Sequence, residues 1–179
     1  KSPCSKCLHR GWEAINPKIL LRHLLGSSNP VGIYPLHPDG TCRFLVFDFD
    51  AHSEASDPAQ TRKEAETLRM ICTQLGINCL VERSRSGKGS HVWIFFKEPV
   101  KASTARQFGM LLLNKGSQLV PLRSYQCYDR MFPAQDQTED LGSLIAPPLH
   151  GAPLTEGNTA FVDEHWNAIH DEWKAMKAR

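Results

Sequence analysis

The chain has 179 residues, a formal net charge of +2 and 41% hydrophobic residues, enough for one domain, or one domain with a small appendage, around a sizeable core. A charge this small does not mark a nucleic-acid binder by itself, so partners must be read from local sequence. No apolar run reaches the roughly 18 residues of a membrane span, and no charged n-region precedes an apolar segment, which excludes a transmembrane helix and a signal peptide.

Six cysteines are too sparse for a secreted disulfide scaffold and fit a reducing cytoplasm. Only Cys4 and Cys7 are close together. Their CxxC spacing is half a zinc site, to be completed by His9, His23 or another cysteine, or else it is a pair of free thiols. A short helix is expected over Pro17 to Leu25. Residues 1–30 are assigned to an N-terminal cap and residues 31–179 to the main domain. A first residue other than methionine, Lys1, fits a piece of a longer polypeptide.

Within the main domain, Val31 to His37 reads as a strand, Pro38-Asp39-Gly40 as a turn and Cys42 to Asp50 as the returning strand of a hairpin. Asp57 and Pro58 open a helix whose apolar stripe is Ala65, Leu68, Ile71, Cys72 and Leu75, and Gly76 ends it. Ile77 to Glu82 and His91 to Phe96 read as a second hairpin around the loop Arg83 to Gly89. A helix from Ser103 to Asn114 follows, closed by Gly116. Ser124 to Phe132 and Gly142 to Leu149 read as two short strands. Val162 to Ala178 has the spacing of an amphipathic terminal helix with Trp166, Ile169, His170, Trp173 and Met176 as its buried stripe, so its tryptophans are packing residues. The order ββαββα, with antiparallel hairpins, predicts an α+β fold rather than a doubly wound one.

Phe47-Asp48-Phe49-Asp50 places two carboxylates two positions apart on a strand, where alternation puts both on one face, close enough to share a cation. Two like charges beside an apolar strand need a counter-charge, because an unpaired buried carboxylate is costly. The same pair also fits the solvated start of the loop from His52 to Asp57.

The stretch from Glu82 to His91 concentrates Arg83, Arg85, Lys88, Ser84, Ser86, Ser90 and two glycines between apolar strands. That is the composition of a loop that wraps phosphate with backbone amides and charge, or of a solvated hairpin turn. It lacks Walker spacing and leads into a strand, which excludes a P-loop. His91, directly after this loop, is placed to hydrogen-bond a phosphate oxygen of the same ligand. Asp129, in a strand-like stretch with aromatic neighbours, is a better third carboxylate than Asp136. Two-metal phosphoryl chemistry calls for such a count.

Together, Phe47 to Asp50, Ser86-Gly87-Lys88-Gly89-Ser90-His91 and Tyr128-Asp129 resemble, in order, the three motifs of the archaeo-eukaryotic primase superfamily. The longer strings Gly32 to Leu36, Phe44 to Asp50, Gly87 to Phe96, Tyr128 to Gln135 and Leu144-Ile145-Ala146 are most similar to the primase-polymerase domains fused to helicases in prokaryotic TOTE conflict systems. The resemblance covers nearly the whole chain. It implies an RRM-like antiparallel or mixed sheet with an accompanying αβ unit. It also implies magnesium or manganese on Asp48, Asp50 and Asp129, and a triphosphate on Ser86, Lys88, Ser90 and His91, with Arg83 and Arg85 beside them. The implied reaction is two-metal, template-directed nucleotidyl transfer to a primer 3′-hydroxyl, with de novo priming as an extension of it. Nucleoside triphosphates, single-stranded template and primer are then the partners, with Arg62, Lys63 and Arg130 as further cations for nucleic-acid phosphates. Relatives carry additional cysteines upstream, which would make Cys4 and Cys7 the second half of a zinc knuckle. The competing readings are a metal-dependent nuclease centred on Asp48, Asp50, Glu82 and Lys88, and a non-catalytic module that binds nucleotide or primer-template.

Overall fold

The computed structural model describes residues 14–26, 31–50, 58–119, 126–138, 142–169 and 171. Cys4, Cys7, His9, Asp57, Ser124, His170, Trp173 and Met176 lie outside them. Five strands form one antiparallel sheet: β1 (Thr41–Phe49), β2 (Leu80–Arg83), β3 (Ser90–Lys101), β4 (Tyr128–Phe132) and β5 (Phe161–Val162), in the order β4-β1-β3-β2-β5. The helices are α1 (Pro17–Leu24), α2 (Pro58–Gln74), α3 (Ala102–Leu119) and the single turn α4 (Gly151–Leu154). The fold is α+β. No helix among the described residues is long and apolar enough to cross a membrane.

Strand alternation sorts the core into two layers. Leu45, Phe47 and Phe49 of β1, with Val92 and Ile94 of β3, face Ala65, Leu68, Ile71 and Cys72 of α2 and Ala105, Leu112 and Leu113 of α3. Each fully buried Val, Leu, Ile or Phe among them contributes about 1.5–3 kcal/mol, so this layer fixes which face of β1 points inward. The other face carries Val46, Trp93 and Leu80, covered in part by Ile145, Leu149 and Phe161. Continuing that parity, Asp48 and His91 stand on the second face.

The predicted stripe on α2 holds at Ala65, Leu68, Ile71 and Cys72, while Leu75, past the helix end, is exposed. Gly76 takes the left-handed conformation at φ 68°, which lets the chain leave the helix. α1 begins on Pro17, with Asn16 accepting from the amides of Lys18 and Ile19. It is tied to the main domain: His23 Nε2 lies 2.9 Å from Pro148 O, and its ring sits 5.0 Å from that of His150. A β-carbon on Gly151 would fall 2.1 Å from Leu24 O, so only glycine permits this approach.

Four expectations are corrected. α3 is not closed by Gly116 but runs through it to Leu119. Residues 31–37 form no strand and no hairpin with β1. Only Ile33 bridges, to Ile145, while β1 is flanked by β3 and β4 and has no edge left to give. The stretch 142–149 likewise reduces to that one bridge. Residues 162–169 are not helical: Val162 pairs with Val81, and the Asp163 carboxylate takes the amides of His165 and Asn167 into a turn. Trp166 still packs as expected, donating from its indole to Glu66 Oε1 at 2.6 Å beneath the Arg62 guanidinium.

Candidate active site

The register of the sheet lines up four charged residues from four adjacent strands. Asp48 of β1 pairs with His91 of β3 and with Arg130 of β4, and His91 pairs with Glu82 of β2. The row therefore alternates Arg130, Asp48, His91, Glu82. Side-chain exposure falls along it, from 53% at Arg130 to 18% at Asp48, 15% at His91 and 2% at Glu82.

His91 is held on both sides. Its Nδ1 lies 2.9 Å from Glu82 Oε2, and its Nε2 lies 3.4 Å from Asp48 Oδ1. Burial of the ring opposes a positive charge, but Glu82 and Asp48 outweigh it and push the imidazole pKa up to about 10. His91 is thus an imidazolium at neutral pH. Glu82 also accepts from the Trp93 indole at 2.7 Å.

Asp50 lies just beyond β1 and is exposed; its amide donates to Cys127 O at 2.7 Å. A β-carbon built on Gly89 would meet Asp50 Oδ1 and Phe49 O at 2.9 Å each, so the glycine makes room for that carboxylate. Asp129 sits where the β1–β4 register shifts, between the pairs Asp48↔Arg130 and Phe49↔Tyr128. This bulge turns Arg130 toward the face of Asp48, and Arg130 Nε pairs with Asp129 Oδ2 at 2.6 Å. The bulge borders a groove of about 680 Å³ between α3 and β4, lined by Arg106, Met110, Tyr128, Asp129, Arg130 and Asp136, among others. Among the described residues no three His, Cys, Asp or Glu side chains are arranged to hold a metal ion. Asp129 is engaged with Arg130 and is not assembled with the other two aspartates. Asp48 and Asp50 remain a pair of hard oxygen donors, the set that suits magnesium or manganese.

The loop after β2 is closed on itself. Ser84 N donates to Gly89 O at 3.0 Å and Gly87 N to Ser84 O at 2.9 Å. Lys88 N donates to Ser86 Oγ at 3.2 Å and Gly89 N to Ser84 Oγ at 2.9 Å. Backbone carbonyls and serine hydroxyls thus take the amides of Ser84, Gly87, Lys88 and Gly89, which leaves fewer for an anion than expected, and the loop presents the exposed side chains of Arg85, Ser86 and Lys88. Thr61 of α2 donates to Lys88 O at 2.9 Å and anchors the loop. Two further expectations change. Ser90 is fully buried and shares the parity of Val92 and Ile94, so its hydroxyl points to the helix-covered side, opposite His91. Arg83 donates to Gly157 O at 2.9 Å and Trp166 O at 2.8 Å, which holds the C-terminal segment rather than a ligand.

Glu82 is the site residue that reading for phosphate ligands missed. Its signal was an acid at the end of an apolar strand, two positions from Leu80 on the same face.

Asp48, His91 and Glu82 thus form one row across three strands of an α+β sheet, and the loop that carries Arg85 and Lys88 joins two of those strands. The family described as "TOTE conflict system, Archaeo-Eukaryotic Primase domain" matches residues 1–178, and the chain belongs to that family. Among solved structures, the polymerase domain from Mycobacterium tuberculosis ligase D in complex with DNA is similar at 26% identity and a TM-score of 0.39; the match covers 51% of this chain and 33% of that one. No curated protein matches.

Proposed function

We propose that the chain is the catalytic domain of a template-directed primase-polymerase, transferring nucleotides from nucleoside triphosphates to a primer 3′-hydroxyl on a single-stranded DNA template. The observation that carries this reading is the row Asp48–His91–Glu82 across three strands, with Asp50 and the exposed cations of the 84–89 loop beside it.

Asp48 and Asp50 are the residues that would hold divalent ions. Magnesium or manganese bound there would lower the pKa of an attacking hydroxyl and neutralise charge on a departing pyrophosphate. His91, held as an imidazolium, presents a hydrogen-bond donor and a positive charge to a phosphate oxygen, a charge-assisted contact stronger than a neutral one. Lys88 and Arg85 add charge from the loop, and Ser86 offers its hydroxyl. Asp129 joins the acidic pair as a third ligand when Arg130 lets it go. Arg106 and Arg130 line the groove beside β4 and would meet nucleic-acid phosphates there, with an affinity that falls with salt.

The test is primer extension by the full chain with labelled nucleotides and manganese, comparing wild type with Asp48→Ala/Asp50→Ala. Extension by the wild type alone is the expected result. Degradation of the primer without nucleotides would make the protein a nuclease, and equal extension by both proteins would remove the aspartates from the chemistry.

A further inference from the structure

Glu82 has a geometry that a structural counter-charge does not require. One oxygen, Oε2, accepts both from His91 Nδ1 at 2.9 Å and from the Trp93 indole at 2.7 Å. The two donors come from positions 91 and 93 of one strand and face the same way, so the carboxylate is clamped by a rigid aromatic on one side while it orients the imidazole on the other. Trp93 is 1% exposed, packed on all sides in the core. Its indole also lies edge-on to His91, with ring centroids 6.4 Å apart and an interplanar angle of 77°.

We propose that Glu82 is a positioning residue of the nucleotide site: clamped by Trp93, it fixes the ring plane of His91 so that Nε2–H projects toward Asp48 and the open face. This inference rests on the reading of His91 as a phosphate ligand. Nδ1 is engaged in the buried interior, so Nε2 is the nitrogen left for a ligand. Among the described residues the acceptor that faces Nε2 is Asp48 Oδ1 at 3.4 Å, a long and weak contact. A triphosphate oxygen can therefore take Nε2–H without breaking a good hydrogen bond, and without reorienting the ring. Preorganisation of this kind gains affinity by removing the ordering cost that a freely rotating imidazole would meet on binding. The same arrangement, a carboxylate behind a histidine that meets the ligand with its other nitrogen, orients ligand-binding histidines elsewhere.

The experiment measures binding of a non-hydrolysable deoxyadenosine triphosphate analogue in manganese to wild type, Glu82→Gln, His91→Ala and the double variant. The proton spectrum of the nucleotide-free proteins is recorded alongside. The wild type is expected to show a downfield Nδ1–H resonance from His91, which moves upfield in Glu82→Gln. Glu82→Gln is expected to weaken the analogue about tenfold, the scale of weakening one charge-assisted hydrogen bond. Adding it to His91→Ala should cost nothing more, because two groups that act through one contact are not additive. Equal weakening of the analogue by Glu82→Gln in both backgrounds would overturn the inference and leave Glu82 a stabiliser of the fold. Unchanged binding in Glu82→Gln with loss in His91→Ala would overturn it while sparing the phosphate role of His91. Unchanged binding in His91→Ala would overturn both. If Glu82→Gln does not fold, Glu82→Asp, which keeps the charge but draws it back by one methylene, is read by the same two measurements.

Discussion

Asp48, His91 and Glu82 stand in a regular ladder, whereas Asp129 and Arg130 stand on a bulge at the edge of the same sheet. In the ladder each side chain's direction follows from strand parity, and each charge meets an opposite charge from another strand. On the bulge an extra residue breaks the parity, and the ion pair joins two sequence neighbours that are 27% and 53% exposed. A charge fixed by three strands is preorganised; a charge fixed by its neighbour at the rim is free to exchange partners. The two regions should therefore respond differently to the same kind of damage.

The largest effect is expected in the ladder. Asp48→Asn should lower manganese-dependent primer extension by roughly 10²–10³-fold, the scale of losing one preorganised electrostatic group. Wild-type extension rates in that variant would take Asp48 out of the chemistry.

The ladder should also show itself in the pH dependence of stability. His91 titrates in the folded protein at about 10 against an ordinary 6.5. The folded state holds this proton more tightly, so the stabilisation is complete below the unfolded value and is lost as pH rises through the folded one, on the order of a few kcal/mol. Urea midpoints should fall across that window in the wild type and fall less in His91→Gln. Parallel curves would mean that the row is not coupled to folding.

On the other side of the comparison, the bulge depends on a buried support. Glu64 of α2 is fully buried and accepts from the amides of Gln126 at 2.9 Å and Cys127 at 3.0 Å, directly ahead of β4. Glu64→Gln is expected to cost about 2–3 kcal/mol, read as a lower urea midpoint. An unchanged midpoint would show that β4 holds its place without it. The smallest effect is expected at the rim, where Arg130→Met should change stability by about 0–1 kcal/mol, as for exposed ion pairs. A larger loss in thermal melts would mean that the bulge is as tightly fixed as the ladder.

The same contrast explains what could be read from the residues alone. β1, α2 and β3 carry long, unbroken apolar patterns, so their existence, and the places of Asp48 and His91 on β1 and β3, were legible. Pairing was not. Residues 31–37 have strand composition, but β1 already had two neighbours. Residues 162–169 have helical spacing, but the Asp163 side chain captures two amides and β2 recruits Val162 as an edge. The bulge at Asp129 exists only relative to β1, and the contact of Glu82 with His91 depends on the register set across the 84–89 loop. Ser90 misled because its neighbours in sequence face the site, whereas its own parity does not.

Arg83 adjoins Glu82 in the same short strand and grips the carbonyls of Gly157 and Trp166. That clasp makes the segment after α4 a latch for the far edge of the sheet. A chain cut ahead of Gly157 would remove β5 and both carbonyls, release β2 at its outer side and unseat Glu82.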